Sequence, residues 1–214
     1  MKFDVKTIEI LKNFSVINTS ILFKPGNVIS TVSPLKNFLA RATVDITIPK
    51  EFAIYELTKF LGIISIMPDA DIEFGDKQLN IKNDKSTLRY TYASPSMITA
   101  SPYTQLTIED KLAQFELPYS TLSTIVKAAN ILELPSIGIS SEDEVITVKA
   151  FNSEDETSNT YRVDVGSTSN TFNVMFDVDR LKLLNRDYTV SVSDGGFVQF
   201  SASDIDYWVA VTSS

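Results

Sequence analysis

The chain has 214 residues, 43% of them hydrophobic and 21% charged, with a formal net charge of −8 and neither histidine nor cysteine. That apolar share excludes wholesale disorder, and the length suits one large domain or two of about 100 residues. The missing histidine excludes Ser-His-Asp and Cys-His nucleophile systems, His-bearing zinc sites and histidine acid–base catalysis.

Other classes lose ground as well. Without cysteine there is no disulfide framework, which suits the cytosol. The opening MKFDVKTIEILKNF scatters its charges and lacks the apolar core of a signal peptide. Neither GxxxxGK[ST] nor GxGxxG occurs, and seven glycines are few for phosphate-cradling loops. The acidic balance argues against nucleic-acid binding over the whole surface, but a basic strip on an acidic body stays open.

In chain order, KTIEILKNFSVIN (6–18) predicts a helix with Ile8, Leu11 and Phe14 opposite Lys6, Glu9, Lys12 and Asn13. SILFK (20–24), VISTV (28–32) and FLARATVDITI (38–48) read as strands around the turn PGN. AIYELTKFLGIISIM (53–67) predicts a second helix, with Leu57, Phe60, Leu61 and Ile64 on one side and Tyr55, Glu56, Lys59 and Gly62 on the other. It falls short of the roughly 20 apolar residues of a membrane span. DIEF (71–74), QLNIK (78–82) and TLRYTY (87–92) alternate as strands, and the Pro-, Ser- and Thr-bearing stretch 93–110 has no clear period.

LAQFEL (112–117) is the next strand. PYSTLSTIVKAANIL (118–132) predicts a third helix with Leu122, Ile125, Val126 and Ala129 opposite Ser120, Ser123, Thr124 and Lys127. IGIS (137–140), EVITVKAF (144–151), YRVDV (161–165) and TFNVMF (171–176) are strands. DVDRLKLLNR (177–186) predicts a short fourth helix with Asp177 as N-cap, grouping Asp179, Lys182 and Arg186 opposite Leu181 and Leu184. YTVSVS (188–193), GFVQFSAS (196–203) and DYWVAVT (206–212) complete the strands.

The two halves match: a longer helix, three or four strands, a shorter helix, then three strands. The expectation is an α+β chain of two similar domains, 1–92 and 111–214, joined by a linker at 93–110. Helices this sparse and one-sided pack on one face of largely antiparallel sheets.

The segments LKNFSVINTSILFKPGN (11–27), AIYELTKFLGIIS (53–65), ITVKAFN (146–152) and TFNVMFDVDRLKLLNRDY (171–188) resemble the sliding clamps of T-even-type bacteriophages, in the same order and spacing over almost the whole chain. The closing DYWVAV resembles that family's last strand. The resemblance implies two domains of DNA-clamp type, antiparallel sheets outside and four helices per chain lining the inner face of a ring. It implies a head-to-tail homotrimer around double-stranded DNA that tethers the replicative DNA polymerase, is loaded by an ATP-driven clamp loader, and catalyses nothing itself. It further implies contact with the late-transcription machinery, the cytoplasm of an infected bacterium as the setting, and no cofactor. Partner peptides of such clamps dock in an apolar groove by the linker, for which Leu106, Ile108, Tyr207 and Val209 are the candidates here.

The residues agree on one point. Every predicted helix carries cations on its polar face or flank: Lys6 and Lys12, Lys59, Lys127, and Arg180, Lys182 and Arg186. Turned into one tunnel they would line it positively, making sequence-independent phosphate contacts. Glu9, Glu56 and Asp179 beside them would soften the attraction. The acidic clusters PDADIEF (68–74), SSEDEV (140–145), NSEDET (152–157) and ASDIDY (202–207) lack EF-hand spacing and read as solvated outer charge. A non-enzymatic β-rich viral structural protein is the first rival and explains the strands but not the four matching polar faces. A carboxylate-dependent hydrolase is the second, and it lacks a convergent site.

Overall fold

The structure, a computed structural model, describes residues 1–101, 106 and 108–212. The chain divides into two compact units, Met1–Gln105 and Leu106–Ser214. Residues 102–105 and 107 of the expected linker lie outside the described residues.

The first unit runs α1 (Val5–Ile17), β1 (Ile21–Phe23), β2 (Gly26–Val32), β3 (Phe38–Ile48), β4 (Phe52–Ile54), α2 (Leu57–Ile66), β5 (Asp71–Phe74), β6 (Gln78–Lys82) and β7 (Thr87–Thr91), then a 3-10 turn at Pro95–Met97. β1 pairs with β4, β2 with β3, and β5-β6-β7 make a three-stranded sheet, all antiparallel. Asp4 starts α1 as a side-chain cap: its carboxylate accepts from the Thr7 N–H at 2.7 Å and from the Thr7 hydroxyl at 2.9 Å. Ile10, Leu11 and Phe14 are fully buried where α1 lies against β2, β3 and α2.

The second helix is shorter than 53–67. Ala53 and Ile54 are fully buried and pair with Leu22 and Ile21 across β1, so the apolar run begins as strand β4. The chain turns at the exposed Tyr55 and Glu56, and the Leu57 N–H reaches the Thr19 carbonyl at 2.8 Å as α2 begins. Leu57, Phe60, Leu61 and Ile64 form its buried face. Phe60 meets the rings of Phe3 and Tyr90 edge-on at 6.1 and 5.2 Å.

The second unit runs β8 (Lys111–Leu117), α3 (Tyr119–Ile131), β9 (Ser136–Glu142), β10 (Val145–Phe151), β11 (Tyr161–Ser167), β12 (Phe172–Asp177), β13 (Tyr188–Ser193), β14 (Phe197–Ser201) and β15 (Ile205–Ala210). Its strands order as β11-β10-β9-β12 and as β8-β13-β14-β15, again antiparallel. α3 lays Leu122, Ile125 and Ala129 inward and packs on β10 and β11. It stops where Glu133 turns to φ 53° and the Leu134 N–H folds back to the Ala129 carbonyl at 2.8 Å.

The fourth predicted helix does not form. A 3-10 turn at Val178–Arg180 stands in its place, leaving three α-helices among the described residues. Ten residues are marginal for a helix without support, and here the backbone is held in other ways. The Asp177 carboxylate makes no cap bond and sits 2.7 Å from the Arg180 guanidinium. The Leu184 N–H donates to the Tyr207 hydroxyl at 3.2 Å, while its carbonyl accepts from the Tyr188 hydroxyl at 2.6 Å. Both of that residue's helical bonds are therefore taken by the sheet.

Candidate nucleic-acid interface

The helices expose narrow faces of mixed character, each with a lysine. On α1 the outward line is Val5, Glu9, Lys12 and Val16, the last turn closed by the Ser15 hydroxyl on the Lys12 carbonyl at 2.7 Å. Lys6, near the start of the helix, is half-buried. On α2 the exposed residues are Thr58, Lys59, Gly62, Ser65 and Ile66. On α3 they are Ser120, Thr124, Lys127, Asn130 and Ile131, with the Thr124 hydroxyl bonded back to the Ser120 carbonyl at 2.8 Å. Because α1 packs on α2, the first unit brings Lys12 and Lys59 onto neighbouring elements.

Lys59 is the best-defined cation. Its Nζ lies 2.6 Å from Glu56 Oε1 one turn earlier, with the lysine side chain 72% exposed and the glutamate 51%. The hydrogen bond to Glu56, then the attraction of the same carboxylate, hold the ammonium pKa above its ordinary value. Lys59 is thus a solvent-facing, fully charged group with a carboxylate at its side. Gly62 lies one turn on; a Cβ there would meet open space, so no close packing demands the glycine.

In the second unit the loop that replaces the fourth helix carries the remaining predicted cations. Lys182 is exposed. Arg180 and Arg186 are largely covered, at 21% and 25% side-chain exposure, and are engaged within the protein. The Arg180 guanidinium donates to the Ala210 carbonyl at 3.0 Å, and Arg186 Nε approaches Asp204 Oδ1 at 3.4 Å. The loop also reaches α3: the Tyr119 N–H donates to Asp187 Oδ1 at 2.7 Å. Sequence reasoning missed this remote cap. The hint was Pro118, which occupies the N-cap position without a side-chain acceptor; nothing local points to a carboxylate 68 residues away.

The predicted pocket residues separate. Leu106 and Ile108 are half-buried, whereas Tyr207 and Val209 are fully buried. The Tyr207 ring stands edge-on to Tyr188 at 6.1 Å, in the core of the second unit. Trp208, on the opposite face of β15, is also buried. Among the described residues no group of three or more His, Cys, Asp or Glu could hold a metal ion.

Solved structures share this architecture. The chain superposes on PCNA from A. fulgidus, solved with the C-terminal region of FEN-1 bound, at a TM-score of 0.72 and 14% identity over 97% of this chain and 95% of that one. PCNA from Thermococcus kodakaraensis gives 0.70 and 12% over 98% of each chain. Two units of antiparallel sheet with helices packed on them are the DNA-clamp fold. A family model described as "DNA polymerase processivity factor" matches residues 2–100, and another, "gp45 sliding clamp, C terminal", matches 114–213. The sliding clamp of Vibrio phage KVP40 is 30% identical over 98% of both chains. That of Enterobacteria phage T4 is 28% identical over 99% of this chain and 96% of its own. The chain belongs to the phage sliding-clamp family of DNA polymerase processivity factors. It acts as a clamp on DNA, and the β-rich structural-protein reading is not favoured.

Proposed function

We propose that the clamp works as a closed homotrimer whose helices face duplex DNA, holding the replicative polymerase on its template without catalysing any step. The observation that carries this reading is an exposed lysine on each helix of an otherwise acidic chain: Lys12, Lys59 and Lys127. Phosphate contacts of that kind position DNA without reading its sequence, and an acidic exterior repels it elsewhere. Lys182 joins the set from its loop and Lys6 from the edge of α1, while Arg180 and Arg186 contribute chiefly by holding that loop.

Closure head to tail suits the sheets. The first unit has β7 at one edge of its β5-β6-β7 sheet, and the second has β11 at the edge of its four-stranded sheet. Pairing two unlike edges is a heterologous contact of the sort that closes cyclic oligomers. Loading by an ATP-driven clamp loader, action in the cytoplasm of an infected bacterium and contact with late-transcription factors follow from the same reading. Leu106 and Ile108 of the 93–110 linker are the half-buried members of the proposed partner-peptide groove; Tyr207 and Val209 would support it from the core.

Two measurements test this. Native mass should give three copies per particle, and a monodisperse monomer at micromolar concentration would refute the ring. Replacing Lys12, Lys59, Lys127 and Lys182 together by alanine should leave the trimer intact and weaken retention on DNA. Unchanged retention across a salt series would refute the lysine lining.

A further inference from the structure

The segment 178–187 has no helical ladder, yet it is pinned at almost every turn. The Val178 N–H donates to the Pro135 carbonyl at 2.8 Å. Arg180 bridges Asp177 at 2.7 Å and the Ala210 carbonyl at 3.0 Å. Leu184 is held through its N–H by Tyr207 at 3.2 Å and through its carbonyl by Tyr188 at 2.6 Å. Arg186 lies against Asp204, whose side chain is 9% exposed, and Asp187 accepts from the start of α3 at 2.7 Å. Three of these partners, Asp204, Tyr207 and Ala210, fall within or beside the last strand β15.

We infer that Tyr188, Tyr207 and Arg180 are positioning residues that hold this loop so that the exposed Lys182 is presented to a DNA phosphate beside α3. The inference rests on the reading of Lys182 as a DNA contact. Lys182 lies between the Arg180 and Leu184 pins, two residues from each, so fixing both limits the arc its backbone can sweep. An unpinned irregular segment would lose that definition, because each residue freed recovers backbone entropy. Tyr188 and Tyr207 are fully buried, and burial first of all pushes both phenols well above their ordinary pKa. Their hydroxyls remain protonated wherever the clamp works, so the pins do not titrate away. The device takes the place of the missing helix. A helix would fix its lysine through its own ladder, and here side chains of the neighbouring sheet do so.

The test uses the full chain with Tyr188→Phe/Tyr207→Phe, which keeps both rings and removes only the hydroxyls. Hydrogen exchange at residues 181–186 should quicken at least about tenfold, as expected when a hydrogen bond is lost, while β9 and β10 stay protected. The salt dependence of duplex binding should flatten as far as in Lys182→Ala, by about 0.9 in slope per lost phosphate contact. Adding Lys182→Ala to the double variant should cause no further loss. Unchanged exchange would overturn the pinning. A mobilised loop with the wild-type slope, while Lys182→Ala flattens it, would overturn the positioning role and leave the DNA contact standing. No effect of Lys182→Ala by itself would remove the DNA contact and the positioning role with it. Should the double variant not fold, Tyr207→Phe alone removes the acceptor for the Leu184 N–H and is read in the same way, with the same outcomes.

Discussion

Replacing Glu56 by glutamine should tighten the hold of the clamp on duplex DNA and steepen its salt dependence. In the protein the carboxylate lies 2.6 Å from Lys59 Nζ on the same exposed helix face, so it competes with any phosphate for the ammonium. The amide is nearly the same size and can still hydrogen-bond the lysine, but it carries no charge. A lysine that neutralises one phosphate contributes about 0.9 to the slope of log K against log salt, a factor of about eight in affinity over a tenfold change in salt. Lys59→Ala removes that contribution from every engaged subunit, and Glu56→Gln brings it closer to its full value. Anisotropy of a labelled duplex, read over about a tenfold range of salt, should therefore rank the slopes with Glu56→Gln steepest, the wild type between and Lys59→Ala shallowest. The pair is exposed, so thermal unfolding should scarcely move in either variant. Equal slopes in all three proteins would refute the placement of Lys59 against phosphate. Tighter binding by Glu56→Gln with Lys59→Ala unchanged would refute it too, since net charge alone would then be acting.

Asp187→Ala should destabilise the chain by about 1 kcal/mol in urea unfolding, because α3 loses the carboxylate that accepts from its first N–H; Asp187→Asn should restore most of it, and an α3 unaffected by either would refute the capping role. Asp4→Ala should cost a similar ~1 kcal/mol at neutral pH, with a definite pH dependence. Burial alone pushes the Asp4 carboxyl up, but the hydrogen bonds from the Thr7 N–H and hydroxyl outweigh it and leave the pKa below its ordinary value. The stability this contributes is present above the unfolded carboxylate range and is lost as pH falls through the lowered folded value. The gap between wild type and Asp4→Ala should therefore close below about pH 4, and a gap independent of pH would refute the sign.

Much of the fold was legible because period-two alternation survives packing. β3 occupies the expected 38–48, and β10 buries every second residue from Ile146 to Ala150. The start of α2 was not legible. AIYELTKFLGIISIM is apolar enough that its first residues satisfy either period, and pairing with β1, a tertiary contact, decides for strand. The segment 177–186 shows the opposite failure: its leucine spacing and Asp177 fit a helix, but two tyrosines of β13 and β15 capture the Leu184 backbone. For the site, exposure was legible wherever a charge fell on a helix face, as with Lys12, Lys59 and Lys127. It was not legible for Arg180 and Arg186, whose partners Ala210 and Asp204 are distant in sequence. Alternation could place Tyr207 and Val209 on one face of β15 without telling whether that face was groove or core.

With the helices facing DNA as proposed, the interface would be weak by construction, and weakness is what sliding requires. Near each of these lysines lies a small or hydroxyl side chain, Ser15 by Lys12, Gly62 and Ser65 by Lys59, Thr124 by Lys127, with exposed Val16 and Ile131 a turn from Lys12 and Lys127. Strong, dense contacts would make one register on the DNA deeper than the next, and the clamp would stop there. Single cations, one of them already shared with Glu56, would keep successive registers nearly equal in energy, while encirclement prevents escape. Gly62 fits the same logic. Relative to alanine it weakens α2 by up to about 1 kcal/mol, and the open space around its missing Cβ shows that no packing contact requires it. What the glycine does leave is a low surface beside Lys59.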